Sequence, residues 1–349
     1  MRLYIAARRR RHRGSIGLDF APDQLHVVQL EKDRNADIST VASGSFRYPD
    51  SRDECVASRE VLGKFLRTSL KRSGVQGTKV HTVMPGEQVR TFPVSFNVEA
   101  GRTEDQALLA ILEERLDGPL DQYVIDYMPI RGESEDRSRL AVVVVVNRED
   151  VIDFLERLRR CGLDVQGLEV QSSALRRLTT EFSGPAHHNL MLINFGEMKS
   201  DLTLISGRRL LFNQELNFGE VRMIEELAKA LAMSPDEARA TVNRYGLAAA
   251  GDDDAAEISR TLQEIVRPSL QILVEQLNRA FVFAAAEDRG NAVDEIYVAG
   301  SLAGWQGTAE MLDDMLNIRV ATIPNPLEHE DAHWRPELAV AAGLAMRDL

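Results

Sequence analysis

The sequence predicts an α/β protein made by duplication, and three observations predict it. Residues Met191–Phe218 run strand, glycine-containing turn, strand, turn, strand, and Gly219 then opens a helical pattern. From Ile16 the chain shows the same order of strand, turn, strand, strand and helix. Two copies of one supersecondary unit, starting near residues 16 and 190, imply a duplicated architecture. Between them, five consecutive valines (Val142–Val146) mark a strand covered on both faces, since a continuous β-branched run leaves no polar face for water.

In the first copy, Ile16–Leu30 forms two strands around a turn at Ala21-Pro22-Asp23, and Ile38–Tyr48 adds a third. Ser58–Ser73 is a helix with Val61, Leu62, Phe65, Leu66 and Leu70 on one face, stopped by Gly74. Lys79–Met84 is a strand ending at Pro85-Gly86. Residues 88–169 then read β-α-β-β-α-β: Val89–Ser95, Thr103–Leu116, Tyr123–Ile130, Ala141–Val146, Asp150–Cys161 and Val165–Glu169, with a polar turn at Arg131–Arg139. Gln171–Glu181 is a helix, and Ser183-Gly184-Pro185 reads as a hinge.

In the second copy, apolar Met191–Ile193 enters a turn at Gly196–Ser200, and Leu202 and Leu204 alternate along the next strand. That strand turns at Ser206-Gly207. Helices follow at Glu220–Leu231 and Pro235–Tyr245, the latter with Ser234 as N-cap and proline at the first helical position. After an acidic loop at Asp252–Asp254, Ala255–Glu287 is helical with an interruption near Pro268. Val293–Ala299 is a strand, Trp305–Leu316 a helix and Ile318–Ala321 a strand; Pro324 and Pro326 lie in a loop, and Pro336–Arg347 is an alanine-rich final helix.

Composition narrows the function classes. With 349 residues, 44% hydrophobic, the chain can bury about two domains' worth of core. A formal net charge of −12 opposes binding of nucleic acid by bulk attraction. Cys55 and Cys161 are too few for a disulfide framework, which points to a reducing compartment. No run of eighteen apolar residues occurs, and MRLYIAARRRRHRG carries charge without the apolar stretch of a secretory signal, so a cytosolic protein is expected. Residues 1–13 hold six arginines against an acidic remainder. They read either as a solvated tail or as a handle for anionic lipid, where each basic residue adds roughly 1 kcal/mol.

These ordered motifs resemble the actin-like ATPase superfamily and, more closely, its PilM branch of type IV pilus assembly proteins. Ile16-Gly17-Leu18-Asp19 matches that family's first phosphate strand, Val142–Leu178 its strand–helix–strand–helix stretch, and Gly300–Val320 with Leu338–Arg347 its adenosine-side motif and final helix. The resemblance implies a duplicated actin-like (ribonuclease H-like) fold with two lobes around a central cleft. Residues 1–14 would be a basic tail, 15–87 with 170–185 the core of the first lobe, 88–169 an inserted α+β subdomain, and 186–349 the second lobe. It also implies a cytoplasmic protein peripheral to the inner membrane, serving a type IV pilus or related type II secretion system. Its partners would be the cytoplasmic tail of a PilN-like membrane protein and other components of the inner-membrane complex, and self-association is compatible with the fold.

Nucleotide binding is where the residues depart from the superfamily pattern. Phosphate turns of this class use glycine with serine or threonine, so that N–H groups and hydroxyls reach the phosphates. Asp19 keeps the first carboxylate, but Ala21-Pro22-Asp23-Gln24 follows it. Pro22 removes an N–H donor, and Asp23 would repel phosphate by about 4 kcal/mol per charge pair at 4 Å and an effective dielectric of 20. Micromolar binding is worth only about 8 kcal/mol. The second turn's Asp-x-Gly-x-x-x-[Ser/Thr]-Asp pattern appears as Asn194-Phe195-Gly196-Glu197-Met198-Lys199-Ser200-Asp201. Gly196 and Asp201 survive, Asn194 replaces a carboxylate that would help hold magnesium, and Lys199 reads as a solvated turn lysine. On the adenosine side Gly300 remains, followed by Ser301-Leu302 in place of further glycines. Asp19, Asn194, Gly196, Asp201 and Gly300 are therefore expected to form a vestigial nucleotide site without catalytic residues or a resident metal. No cofactor is expected; ATP and magnesium would bind if the site is still competent, and the alternative is a working Mg-ATP-binding ATPase that polymerises. No Walker A loop, Gly-x-Ser-x-Gly elbow or metal-spaced His/Cys set occurs; His26 reads as a satisfied structural histidine, and Trp305 and Trp334 as packing residues.

Overall fold

The computed structural model describes residues 12–33, 38–131, 138–180, 189–206, 209–248, 253–287, 292–325 and 334–349. In chain order the elements begin with strands β1 (His12–Phe20), β2 (Gln24–Lys32) and β3 (Ile38–Arg47), then helices α1 (Arg52–Ala57) and α2 (Arg59–Ser73). Next come β4 (Lys79–Val83), β5 (Val89–Asn97), α3 (Glu104–Arg115), β6 (Tyr123–Arg131), β7 (Ser138–Asn147), α4 (Arg148–Arg160), β8 (Asp164–Glu169) and α5 (Gln171–Thr180). The second copy contains β9 (Asn189–Phe195), β10 (Ser200–Ser206), β11 (Arg209–Leu216), α6 (Glu220–Leu231), α7 (Pro235–Tyr245) and α8 (Asp253–Glu287). It continues with β12 (Glu295–Gly300), α9 (Thr308–Leu316) and β13 (Arg319–Thr322), and α10 (Ala339–Ala345) follows near the end of the chain.

One compact unit comprises Met1–Val83, Glu156–Glu181 and Asn325–Leu349. Its sheet has the order β3-β2-β1-β4-β8; β1, β2 and β3 are antiparallel neighbours, whereas β4 and β8 run parallel to β1. All seven residues of α10 are buried. Its small side chains let backbones meet: a Cβ on Gly17 of β1 would lie 1.9 Å from the Ala341 carbonyl oxygen, and one on Gly343 would lie 2.1 Å from that of Ala174 in α5. Beyond α10, Asp348 accepts a hydrogen bond from Ser15 (2.5 Å) and pairs with His81 (2.9 Å), tying the chain's last residues to β1 and β4.

The second unit, Met84–Leu155 with Phe182–Pro324, contains a sheet of order β11-β10-β9-β12-β13. Strand order and direction repeat those of the first unit, so the duplication read in the sequence is present at the level of topology. A separate three-stranded sheet, β5-β7-β6, packs on β11 in this unit. The valine run is buried throughout: Ala141, Val143 and Val145 join the core under α3, while Val142 joins the larger core of β9–β13. Helices α3 and α7 open with capping boxes, Thr103 with Gln106 and Ser234 with Glu237, as their sequences require.

Several expectations need correction. The element order of residues 88–169 stands, but β8 pairs parallel with β4, and Glu156–Glu181 clusters with the first unit. Residues 325–349 also leave the second lobe for the first unit, because α10 finds its apolar contacts on β1 and α5. A short helix, α1, precedes α2. Helix α8 is unbroken for 35 residues through Pro268, its Leu262, Val266, Leu270, Leu273 and Leu277 being buried. The stretch from Trp305 becomes helical only at Thr308. Most of the basic tail, the Ser183-Gly184-Pro185 hinge, Gly207 of the turn at Ser206-Gly207, Asp252, Pro326 and most of the Arg131–Arg139 turn lie outside the described residues.

Candidate functional site

Four of the five expected site residues, Asp19, Asn194, Asp201 and Gly300, lie at or near strand ends, and Gly196 lies in the turn between β9 and β10. Asp19, in the first unit, stands near the end of β1, opposite His26 of β2. It is 3% exposed, and its Oδ1 has no hydrogen-bond partner among the described residues. Burial, with Asp23 adding to it, pushes the Asp19 carboxyl up to about 7, although the Arg52 guanidinium pulls the other way. Arg52 is itself buried and donates from Nε and Nη2 to Asp53 at 3.1 and 3.0 Å. The α1 helix that carries it has no sequence signal strong enough to have marked Arg52 beforehand. Burial holds His26 down to about 4, so the ring is neutral near pH 7, and its Nδ1 lies 2.8 Å from Ser45 Oγ. This is the structural role expected of it.

The other four residues share the second unit, and its sheet brings them together. Asn194 of β9 pairs across the ladder with Asp201 of β10, and Phe195 with Gly300 of β12. Gly300 has φ +80°, and a Cβ there would lie 2.1 Å from the Phe195 carbonyl oxygen; only glycine fits this backbone crossing. Ser301 N–H donates to the same carbonyl at 3.0 Å. The Gly196–Ser200 turn closes on itself through Gly196 N–H to the Lys199 carbonyl at 3.1 Å. Its Gly196 and Glu197 carbonyls accept from the first N–H groups of α6, on Glu220 and Val221, at 3.1 and 3.0 Å. The Ser200 hydroxyl donates to the Phe218 carbonyl at 2.6 Å in a fully buried position. Lys199 bonds Glu215 at 2.6 Å, with both side chains about half exposed. Burial, then Glu215 and Glu87, push Asp201 up to about 6 despite the opposing pull of Lys199.

In the second turn the Ser200 hydroxyl, the Gly196 N–H and the first amides of α6 are bonded to the protein's own backbone. Asp19 Oδ1 is different, being a buried atom without a hydrogen-bond partner among the described residues. Glu87 and Glu215 next to Asp201 were not evident from sequence, because strand pairing and a neighbouring 3₁₀ turn bring them there. Trp305, 2% exposed, is a core residue.

Two sheets of identical order, each with its β-hairpin turn and its parallel fourth strand, define a protein of the actin-like ATPase fold. Solved structures agree. EutJ, an ethanolamine utilization protein from Carboxydothermus hydrogenoformans, is similar at TM-score 0.55 and 12% identity, covering 95% of this chain and 89% of that one. MreB5 of Spiroplasma citri bound to ADP is similar at TM-score 0.50 and 11% identity, covering 95% and 94%. Within that class, the chain belongs to the type IV pilus assembly protein PilM family, whose model matches residues 17–349. A chain of a PilM–PilN type IV pilus biogenesis complex is similar at TM-score 0.74 and 20% identity, covering 96% of this chain and 98% of the other. No helix among the described residues is long and apolar enough to cross a membrane.

Proposed function

We propose that this protein is a cytoplasmic adaptor, peripheral to the inner membrane, in a type IV pilus or related type II secretion assembly complex. It holds the cytoplasmic tail of a PilN-like membrane protein and meets other components of that complex, and it does so without ATP turnover. Family membership over residues 17–349, and the likeness to a chain of a PilM–PilN complex, support the partner. The observation that carries the non-catalytic reading is the second turn, whose Ser200 hydroxyl and α6 amides are already bonded to Phe218, Gly196 and Glu197. A triphosphate drawing on those groups would have to break each of those bonds, at roughly 1 kcal/mol or more apiece. The test is a titration of the full chain with a synthetic tail peptide of the PilN-like protein from the same genome. Saturable micromolar binding is expected, and no binding at high micromolar peptide would overturn the reading.

A second reading is favoured by one atom, Asp19 Oδ1, whose unused acceptor suits a cation. In that reading the chain binds Mg-ATP and polymerises. Calorimetry with Mg-ATP decides between them. Affinity near a micromolar that is lost in Asp19→Ala would replace the non-catalytic reading, whereas heat indistinguishable from dilution supports it.

A further inference from the structure

A surface recess of about 370 Å³ lies between α2 and the end of α4 in the first unit, lined by Arg59, Glu60, Gly63, Arg67, Arg160 and Cys161. It is remote in sequence from both turns described above. On α2, Arg59, Gly63 and Arg67 are spaced by four residues and therefore form one stripe of the helix surface. Gly63 at the centre of the stripe leaves its floor bare: the sole neighbour within 4 Å of a Cβ placed there is Cys161 Sγ, at 3.7 Å. A larger side chain would fill the space between the two guanidiniums.

Neither of those arginines is spent on an acidic partner among the described residues. Arg67 donates Nε to the Gly63 carbonyl at 3.0 Å, which holds the side chain along the stripe. Arg59 and Arg67 both bear on the Cys161 thiol, pulling it down against the burial that holds it above its usual range. Arg160, on the far wall, pairs with Glu156 at 2.5 Å, and Glu60 contributes the one carboxylate of the lining. Lys71 continues the stripe one turn beyond Arg67, and Lys64 stands beside it. In a chain of net charge −12 this is a local concentration of positive charge around a cavity, where planar guanidinium forks match oxyanion geometry.

We propose that this recess binds a phosphate group, with the Arg59 and Arg67 guanidiniums clamping its oxygens above the Gly63 floor. The group is carried either by a small soluble phosphate compound or by the headgroup of an anionic phospholipid. Calorimetry of the full chain with pyrophosphate examines the first source. Co-sedimentation with phosphatidylcholine vesicles, with and without phosphatidylglycerol, examines the second. Binding in either arm supports the site, provided that Arg59→Gln/Arg67→Gln weakens it about tenfold or more, the scale expected for losing two charge-assisted hydrogen bonds. Gly63→Leu is the sharper variant. It keeps every charge, improves helix propensity and covers the cavity floor, so it should weaken binding to the same extent while circular dichroism stays unchanged. Binding that survives Gly63→Leu is diffuse surface attraction, or belongs to the nucleotide turns, and would overturn the proposal. Failure of the native chain to bind in both arms would overturn it as well.

Discussion

Replacing Asp19 by asparagine isolates the consequence of burying that carboxyl. Its pKa is raised from 3.8 to about 7, so between these values the folded chain holds a proton that the unfolded chain has lost. Stability from this group is fully present below the unfolded value and is lost as pH rises through about 7. Asparagine keeps the shape and cannot ionise, so the variant is spared the loss. Integrating the linkage relation, the variant's advantage from this source is about 2 kcal/mol near pH 5 and about 4 kcal/mol near pH 8. Constant offsets, such as an imperfectly bonded amide, cancel in the difference, which should grow by roughly 2–3 kcal/mol across that range. Trp334 belongs to the same unit as Asp19, whereas Trp305 lies in the other core. Urea unfolding followed by fluorescence in a Trp305→Phe background therefore reads the unit of interest. A stability difference between the Asp19 chain and its Asp19→Asn variant that stays flat with pH, or grows by less than about 1 kcal/mol, would refute the desolvation argument.

Further expectations follow from single contacts. Gly300→Ala places a Cβ 2.1 Å from the Phe195 carbonyl at φ +80°, and thermal unfolding should show a loss of about 3 kcal/mol or more. Ser200→Ala orphans the buried Phe218 carbonyl, at a cost of roughly 1–2 kcal/mol in urea unfolding; an unchanged midpoint would mean that this hydroxyl is not structural. Lys199→Ala breaks a half-exposed ion pair and should shift stability by about 0.5 kcal/mol or less. For Asp348, burial works against ionisation, yet hydrogen bonds from Ser15 and His81 hold its carboxyl below the usual range. Its contribution is present above the unfolded value and fades as pH falls through the lowered one. Asp348→Asn should cost about 1 kcal/mol near neutral pH, after allowance for solvent, and little in acid.

Where residues act on near neighbours in the chain, they could be read in advance. The serine of Ser234-Pro235 caps α7 because its hydroxyl reaches an amide three residues on, and Gly74 stops α2 in the left-handed conformation, with φ +82°. The five valines mark β7 as doubly covered because every side chain must be apolar when both faces are packed. The make-up of both turns at Pro22, Asp23 and Asn194 was equally plain, since it is a matter of which donors and charges exist.

Sequence alone therefore determined the alternation, the caps, the duplication and the chemical make-up of both turns. Only the tertiary structure decided what those groups meet. It sent β8 to β4 and α10 to β1, because a strand edge or an alanine-rich face states a need for a partner without naming it. It turned the Ser200 hydroxyl onto Phe218, left Asp19 Oδ1 without a partner among the described residues, and set Gly63 between two arginines over a cavity. These are long-range facts: desolvation and hydrogen-bond satisfaction depend on atoms brought close by folding from distant parts of the chain.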